Sequence, residues 1–359
     1  MNLDKILNKL KKYKGKTVAV AMSGGVDSSV CAYLLKKAGA NVLGITMVHM
    51  PNSKCCTLED IDSARQVASQ LDIPHYLVDV REKFENEVVS YFVNEHKKGR
   101  NPNPCVICNQ LIKFGELLKE AEAKGAEFFA TGHYAKLKVK KDEIKLKRPK
   151  DVRKDQSYVL SMLPREIFKK LIFPLGDLTK EEVREIAKEG GLKMYSRPGN
   201  QDLCFLDKGK GEFIEEWNKE KAKPGEIVDK YGKVLGRHRG IIHYSIGQRH
   251  GLGIDLHKRL FVININPEKN QIVVGEREDG YSKEFLVEAM NWVSIIEPKE
   301  PFKAKVLIRN KAVPQEVIVY PLENNKIRVV PKEPIWGVSP GQIAVFLKRN
   351  VVLGGGWII

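Results

Sequence analysis

Hydrophobic positions in residues 17–131 fall into short apolar runs that alternate with longer segments of helical periodicity. The apolar runs are TVAVAM, NVLGIT, HYLVDV and EFFATG, and the segments between them include SSVCAYLLKKAG and LEDIDSARQVASQLD. This alternation is typical of βαβ units on a parallel sheet. Parallel sheets bind ligands at the carboxyl ends of their strands, where this chain has residues 23–25, Met47, Asp79 and Gly132.

The pattern changes twice further along the chain. Beyond Lys154 it predicts helices in SYVLSML, REIFKKL and LTKEEVREIAKEGG, the last with Thr179 as N-cap and Glu182 completing a capping box. From about Pro224, short β-rich runs separated by glycines and polar turns predict an antiparallel sheet or small barrel. The fold class is therefore α/β, with a parallel-sheet domain followed by β-rich domains.

Composition narrows the choice of partners. A chain of 359 residues fits two or three domains, and 61 Lys and Arg against 45 Asp and Glu leave a net charge of +16. Such a surplus attracts polyanions, which favours nucleic acid or an acidic membrane surface. No run is long enough for a membrane span, and the Lys-rich stretch 1–16 lacks the apolar core of a signal peptide. We expect a cytoplasmic protein.

The segment AVAMSGGVDSS, residues 19–29, has the features of a phosphate-binding loop. It ends an apolar strand, turns through Ser23, Gly24 and Gly25, and opens a helix, which presents backbone N–H groups and the positive end of the helix dipole to an anion. The Lys of a Walker A motif and the glycine spacing of a dinucleotide fingerprint are both missing. An ordinary strand–helix turn needs only one glycine, so we favour the phosphate site.

The motif SGGVDSS resembles the PP-loop of the adenine-nucleotide α-hydrolases, which transfer AMP from ATP to a carbonyl oxygen. The resemblance implies ATP as cosubstrate and Mg²⁺ as the ion that screens the leaving pyrophosphate. It also implies that the ATP contacts are Ala21, Met22, Ser23, Gly24, Gly25, Val26, Asp27 and Ser28.

The cysteines differ in their surroundings. Cys31 stands among apolar residues of a helix and is expected in the core, and the adjacent Cys55 and Cys56 receive no role. Cys105 and Cys108 stand in GRNPNPCVICNQLIKF, where the prolines predict a stiff loop until Asn109. A thiol there, at a helix N-terminus near cations, should have a lowered pKa and react as thiolate. Structural zinc is disfavoured because a second ligand pair is missing.

Longer segments resemble one family in order and approximate spacing, the bacterial tRNA-specific 2-thiouridylases. They are NPNPCVICNQLIKF, FFATGHYAKL, RKDQSYVLSML, FPLGDLTKEEVREIA, QDLCFL, HRGIIHYSIGQRHGLGI, FVININPEKNQIVVG and VSPGQIAVF. The resemblance covers nearly the whole chain. It implies a PP-loop ATP-binding catalytic domain over residues 1–207, a central β-rich domain over 208–283 and a C-terminal β-barrel domain over 284–359.

The resemblance also implies roles for individual residues. Cys108 corresponds to the attacking cysteine and Cys204, which alone would be placed in the core, to the persulfide carrier; the two would close a disulfide that a reductant opens. Met47 and Gly132 correspond to adenosine contacts. The tRNA contacts, around the target base and beyond it, correspond to Asn103, Pro104, Cys105, His133, Lys154, Asp155, Gln156, Arg309, Asn310 and Gln342. The implied partners are tRNA, through its anticodon loop and wobble uridine, and a persulfide-donating relay protein or cysteine desulfurase.

This chain departs from the family pattern at Asn101, where many relatives have Thr, and at Cys105, where one branch has Asp. The extra thiol completes a trio, Cys105, Cys108 and Cys204, that suits three irons of a 4Fe–4S cluster. Cluster ligation and persulfide chemistry therefore both remain open at this stage.

The basic run AKLKVKKDEIKLKRPKDVRKDQSY is either a solvated face or a track for RNA phosphates. Two other functions would leave features unexplained. A small-molecule synthetase would not need the basic surplus or the cysteine pair, and a non-catalytic RNA-binding protein would not need the phosphate loop or the thiols.

Overall fold

The computed structural model describes residues 3–50, 57–192, 203–254 and 259–359. Cys55 and Cys56 lie outside the described residues. Within these ranges no helix combines the length and apolar character that a membrane span requires. The α-helices are α1 Leu3–Leu10, α2 Val26–Lys37, α3 Leu58–Gln70, α4 Arg81–Phe84, α5 Ser90–Lys97, α6 Pro104–Ile107, α7 Leu117–Ala123, α8 Lys180–Glu189 and α9 Lys210–Asn218. Short 3₁₀ helices are Lys11–Tyr13, Val152–Lys154, Arg165–Lys170, Pro174–Asp177, Ile241–His243 and Arg277–Gly280.

The strands are β1 Thr17–Ala21, β2 Asn41–Val48, β3 His75–Asp79, β4 Phe128–Ala130, β5 Lys136–Lys140, β6 Glu143–Lys147, β7 Leu171–Ile172, β8 Gly225–Asp229, β9 Val234–His238, β10 Phe261–Asn266, β11 Gln271–Gly275, β12 Tyr281–Ser282, β13 Phe285–Trp292, β14 Phe302–Leu307, β15 Gln315–Pro321, β16 Ile327–Pro331, β17 Ile335–Trp336, β18 Ile343–Lys348 and β19 Val351–Ile358. Two π-helical stretches, Glu85–Val89 and Cys108–Glu116, join α4 to α5 and α6 to α7.

A parallel sheet with strand order β3-β2-β1-β4-β7 forms the first part of the molecule. Alternate residues of β1 point to opposite faces: Ala19 packs into one hydrophobic cluster, and Val18 and Val20 pack into another. Because both faces are covered, β1 is a continuous apolar run. The predicted parallel sheet is confirmed.

The central part is a four-stranded sheet with order β10-β11-β8-β9, preceded by α9. Phe213 of α9 packs on Phe205 and Phe92, with ring centroids 5.4 Å and 6.3 Å away. The central part therefore shares its core with the parallel-sheet part.

The last part is an antiparallel β-barrel in which β13, β16, β15, β14, β18 and β19 follow one another and β19 pairs again with β13. This confirms the predicted barrel. The hairpin β5–β6, which precedes β7 of the parallel sheet in the chain, joins the barrel through β19, where Leu146 lies opposite Val352. Residues of the basic run thus belong to the barrel's sheet.

Two local predictions are wrong. SYVLSML forms turns and not a helix, because Asp155 accepts hydrogen bonds from the amide and hydroxyl of Ser157 and holds the chain in a non-helical path. The helix after the NPNP segment begins at Pro104 and not near Asn109. A proline is tolerated at the first helical position because the N–H group that it lacks would have no acceptor within the helix there.

Candidate active site

The loop at residues 22–25 leads from β1 into α2 and is folded around Ser28. The Ser28 hydroxyl accepts a 3.1 Å hydrogen bond from the amide of Ser23 and donates one of 3.1 Å to the backbone oxygen of Gly25. Gly24 has φ +71°, and a Cβ there would lie 2.2 Å from the backbone oxygen of Asp60. The first N–H groups of α2 have no intrahelical acceptor, so the loop is built to bind an anion.

Gly132, which follows β4, lies against the first turn of α2. A Cβ at Gly132 would be 2.9 Å from the carbonyl carbon of Asp27 and 2.9 Å from the amide nitrogen of Ser28. Met47 is buried near the carboxyl end of β2, the neighbour of β1. The structure therefore places both predicted adenosine contacts at the sheet edge that carries the phosphate loop.

Asp27 in this first turn has two partners that sequence reasoning missed. Its Oδ1 atom accepts hydrogen bonds from Nζ of Lys180, at 2.6 Å, and from the hydroxyl of Tyr134, at 2.8 Å. Lys180 is buried, with 8% of its side chain exposed, and begins α8. A cation in the first turn of a helix is destabilised by the positive end of the helix dipole. The position of Lys180 in the sequence therefore indicates that this lysine has a role other than stabilising α8.

Cys108 and Cys105 lie on the helix that begins at Pro104, with Cys108 buried and Cys105 exposed. Burial raises the pKa of Cys108 to about 12, and the charge of Cys204 adds to the rise, while Lys113 opposes it. Desolvation by surrounding protein also raises the pKa of Cys105 despite its exposed surface. The predicted lowering of these thiol pKa values is wrong, because burial outweighs the nearby cation in this structure.

Lys113 is the cation common to this site. Its positive charge partly offsets the rise in the pKa of Cys105 and Cys108, and it adds to the lowering of the pKa of the buried imidazoles His49 and His133. The pKa of His49 falls to about 4, with burial as the larger cause. One ammonium group therefore influences the protonation of both thiols and both imidazoles.

Cys204 is half-buried and lies within electrostatic reach of Cys105 and Cys108, because its charge raises the pKa of both. Its neighbour Phe205 anchors this segment, with its ring centroid 6.0 Å from that of Phe84 and 5.3 Å from that of Phe92. The fold thus places Cys204 in the same region as Cys105 and Cys108, although it is about a hundred residues away from them in the chain. Cys31 is fully buried in the core, as predicted.

The three thiols do not form a ready metal site. Among the described residues, no three His, Cys, Asp or Glu side chains are grouped so that they could hold a metal ion. Cys105 is exposed, while Cys108 is buried about one turn further along the helix. The trio in this structure therefore does not fit a cluster.

The predicted tRNA contacts fall into exposed and internal groups. Arg309 and Asn310 are exposed on the barrel, and Asn103 and Lys154 are half-buried. Pro104 is buried at the helix start, beside the exposed Cys105. These positions leave polar groups accessible to a large ligand.

Other predicted tRNA contacts have internal partners. His133 is buried and its Nδ1 atom lies 2.7 Å from Oγ1 of Thr131. Asp155 is buried and accepts a 2.5 Å hydrogen bond from Nε of Arg148, and Gln156 accepts one of 2.9 Å from the amide of Tyr134. The side-chain amide of Gln342, the last of the predicted tRNA contacts, donates a hydrogen bond to the backbone oxygen of Asn101, in the segment that leads to α6. Their role as tRNA contacts stays a prediction.

The basic hairpin β5–β6 contains paired and unpaired cations. Lys136 pairs with Asp177 at 3.0 Å and Lys145 with Glu143 at 2.5 Å. Within the described part of the chain, Lys138, Lys140 and Lys141 make no ion pair and are exposed. The hairpin thus presents uncompensated positive charge, which favours the phosphate-track interpretation.

The fold and the phosphate loop define an ATP-using enzyme of the PP-loop class. Three family models match the chain: the tRNA methyl transferase HUP domain over residues 16–208, the tRNA methyl transferase PRC-barrel domain over 211–276 and the aminomethyltransferase beta-barrel domain over 282–358. The names of full-length relatives specify the reaction more closely than these descriptions do.

The tRNA-specific 2-thiouridylase MnmA of Clostridium perfringens is 43% identical over 352 residues, covering 96% of this chain and 98% of that protein. The tRNA-specific 2-thiouridylase MnmA of Acetivibrio thermocellus is 43% identical over 355 residues, covering 96% and 99%. The chain belongs to the tRNA-specific 2-thiouridylase family, which confirms the resemblance.

Among solved structures, the chain is similar to the U34-tRNA thiolase NcsA from Methanococcus maripaludis with its 4Fe-4S cluster. The identity is 22%, the TM-score is 0.38, and the match covers 60% of this chain and 70% of that one. A likeness this weak carries no argument about ligands or mechanism.

Proposed function

We propose that the chain adenylates the C2 oxygen of the wobble uridine of tRNA and replaces that oxygen with sulfur from a persulfide on Cys204. The products are 2-thiouridine, AMP and pyrophosphate. The observation that carries the proposal is the pairing of a PP-loop with two thiols, Cys108 and Cys204, that come from distant parts of the chain and pack in the same hydrophobic cluster.

The phosphate loop supports the first step. Backbone N–H groups at the start of α2 would hold the phosphates of ATP while the uridine C2 oxygen attacks the α-phosphorus and pyrophosphate leaves. Lys180, held by Asp27 at 2.6 Å, would neutralise charge that develops on the phosphates. Mg²⁺ bound with ATP would screen the leaving pyrophosphate, and Asp27 is the carboxylate of the loop suited to hold it.

The sulfur transfer uses two cysteines, one that carries the persulfide and one that releases the transferred sulfur from it. The terminal sulfur of the Cys204 persulfide attacks C2, and the bond from C2 to the AMP oxygen breaks. The Cys108 thiolate then attacks the Cys204 sulfur, which releases the thiocarbonyl and leaves a Cys108–Cys204 disulfide. An external dithiol supplies two electrons to reopen that disulfide, and a persulfide-donating protein reloads Cys204.

The target base must leave its stack to reach these groups, which is easiest in an anticodon loop. Asn103, Pro104 and Cys105 would border the base, and the exposed Arg309 and Asn310 would contact other parts of the tRNA. No step is assigned to an iron–sulfur cluster, because no group of three His, Cys, Asp or Glu side chains among the described residues is arranged to hold a metal ion.

The test is thiolation of tRNA by purified enzyme after anaerobic reconstitution with iron and sulfide, with pyrophosphate release measured in parallel. Cys108→Ser and Cys204→Ser should abolish 2-thiouridine formation while tRNA-dependent pyrophosphate release persists. Cys105→Ser should remain active, and Cys31→Ala serves as the matched control. An inactive, iron-depleted Cys105→Ser variant beside an iron-loaded wild type would overturn the persulfide scheme, whereas full wild-type activity without iron would exclude the cluster.

A further inference from the structure

Trp336 lies at the seam between the central sheet and the barrel, with the guanidinium group of one arginine from each side over its ring. The guanidinium carbons of Arg277 and Arg309 are each 5.8 Å from the centre of the Trp336 ring. Arg277 follows β11 of the central sheet, and Arg309 follows β14 of the barrel. The two guanidinium carbons are therefore within twice that distance of each other, although they belong to different parts of the molecule.

The seam is shaped to hold this indole. Its Nε1 atom donates a 3.1 Å hydrogen bond to the backbone oxygen of Arg277, and the ring of Phe261 packs edge-on with centroids 5.5 Å apart. A Cβ at Gly280 would lie 2.8 Å from Nε1, and one at Gly247 would lie 3.1 Å from the ring. Trp336 is thus a fixed support for both arginines.

Both arginines lack an ion-pair partner in the part of the chain that the structure describes, although both are exposed. The nearby carboxylate of Asp279 is bonded to Nζ of Lys230 at 2.7 Å and to the amide of Glu276 at 2.9 Å. Two exposed guanidinium groups without an ion pair, each 5.8 Å from the centre of the same indole ring, therefore remain on the described surface.

We propose that Arg277 and Arg309 form a clamp for the sugar–phosphate backbone of tRNA across this seam. A guanidinium has five N–H groups, so one that lies over an indole can still donate hydrogen bonds to phosphate oxygens. One terminal nitrogen of Arg309 donates long hydrogen bonds to the backbone oxygens of Trp336, at 3.4 Å, and Gly337, at 3.5 Å, and the other N–H groups of Arg309 would contact the phosphate. Holding both groups in place beforehand reduces the entropy lost when the RNA binds. The clamp rests on the proposed function, because it requires tRNA as the ligand, and it adds Arg277 to the contacts implied by the family.

The test compares tRNA binding over a series of KCl concentrations for wild type, Arg277→Gln, Arg309→Gln and the double variant. The logarithm of the affinity falls as the logarithm of the salt concentration rises. Each single change should make this slope less steep by about 0.7 to 0.9, and the double change by about twice that. The thermal unfolding midpoint should stay at the wild-type value, which separates a loss of tRNA contacts from a loss of stability.

Arg328 provides a matched control. It is stacked 4.7 Å from the ring centre of Tyr320, but it is paired with Glu284 at 3.2 Å, so Arg328→Gln should leave the slope unchanged. A wild-type slope in Arg277→Gln, or an equal loss in Arg328→Gln, would overturn the clamp. If the unfolding midpoints fall while the slopes stay unchanged, the arginines stabilise the fold at the seam and do not bind tRNA, which would also overturn the clamp. A wild type that binds tRNA but forms no 2-thiouridine would instead overturn the proposed function.

Discussion

The side-chain amide of Gln342 donates a 2.6 Å hydrogen bond to the backbone oxygen of Asn101. At the same place the amide of Asn101 donates a 2.8 Å hydrogen bond to the backbone oxygen of Pro340. The barrel therefore holds the segment that enters the helix of Cys105 and Cys108.

Gln342→Ala should slow single-turnover formation of 2-thiouridine at saturating tRNA by about tenfold, since small displacements of reacting groups are costly. Dissociation constants for tRNA should change less than the rate. Gln271→Ala, which removes an exposed amide bonded to Glu226 at 3.0 Å, is the control. If affinity falls and the rate at saturation does not, Gln342 is only a tRNA contact.

Lys180→Met should reduce tRNA-dependent pyrophosphate release by about a hundredfold or more, because a fixed cation at the phosphate loop is lost. Binding of tRNA should remain within about twofold of wild type, since the loop serves ATP. Lys9→Met is matched to it, as Lys9 also pairs with an aspartate at 2.6 Å but at an exposed position. Equal loss of activity in both variants would remove the assignment of Lys180 to the ATP site.

Gly24→Ala should be far more damaging than Gly15→Ala, although φ is +71° at one site and +74° at the other. Left-handed backbone costs alanine about 1–2 kcal/mol at either site. Only Gly24→Ala adds a contact of 2.2 Å with the backbone of Asp60, whereas nothing lies within 4 Å of a Cβ at Gly15. Thermal unfolding and ATP binding measure the difference, and similar losses in both variants would contradict the clash.

The release step of sulfur transfer should accelerate as the pH rises from 7 to 9. Burial raises the pKa of Cys108 to about 12, so the thiolate fraction should grow about tenfold per pH unit over that range. Single-turnover thiolation by persulfide-loaded enzyme, with pyrophosphate release as the internal reference, measures it. A flat profile would mean that substrate binding lowers the thiol pKa.

The same protonation also affects stability. The pKa of Cys108 is higher in the folded chain than its ordinary value of 9.0, so its contribution to stability is complete below pH 9 and declines as the pH rises towards 12. The kinetic measurement therefore belongs below pH 9. Cys31→Ala, which removes another buried thiol away from the site, should leave the rate profile unchanged.

Local patterns in the sequence predicted some features well. The apolar runs gave the parallel strands, and the Thr179–Glu182 capping box is present at the start of α8. Lys180 could not be paired with Asp27 from the sequence, because the two are 153 residues apart. The cysteine pKa values were missed for a related reason, since burial of Cys108 depends on packing by the whole domain.

β19, the strand Val351–Ile358, pairs with β18, β13 and β6, so it is shared by three neighbours. During synthesis the phosphate loop and the hairpin β5–β6 leave the ribosome long before this strand exists. Until then the edge of β6 has no partner, and the barrel stays open beside it. The nascent chain can form its phosphate loop early, but a premature stop before Val351 would leave three strands, β6, β13 and β18, each without one of its neighbours.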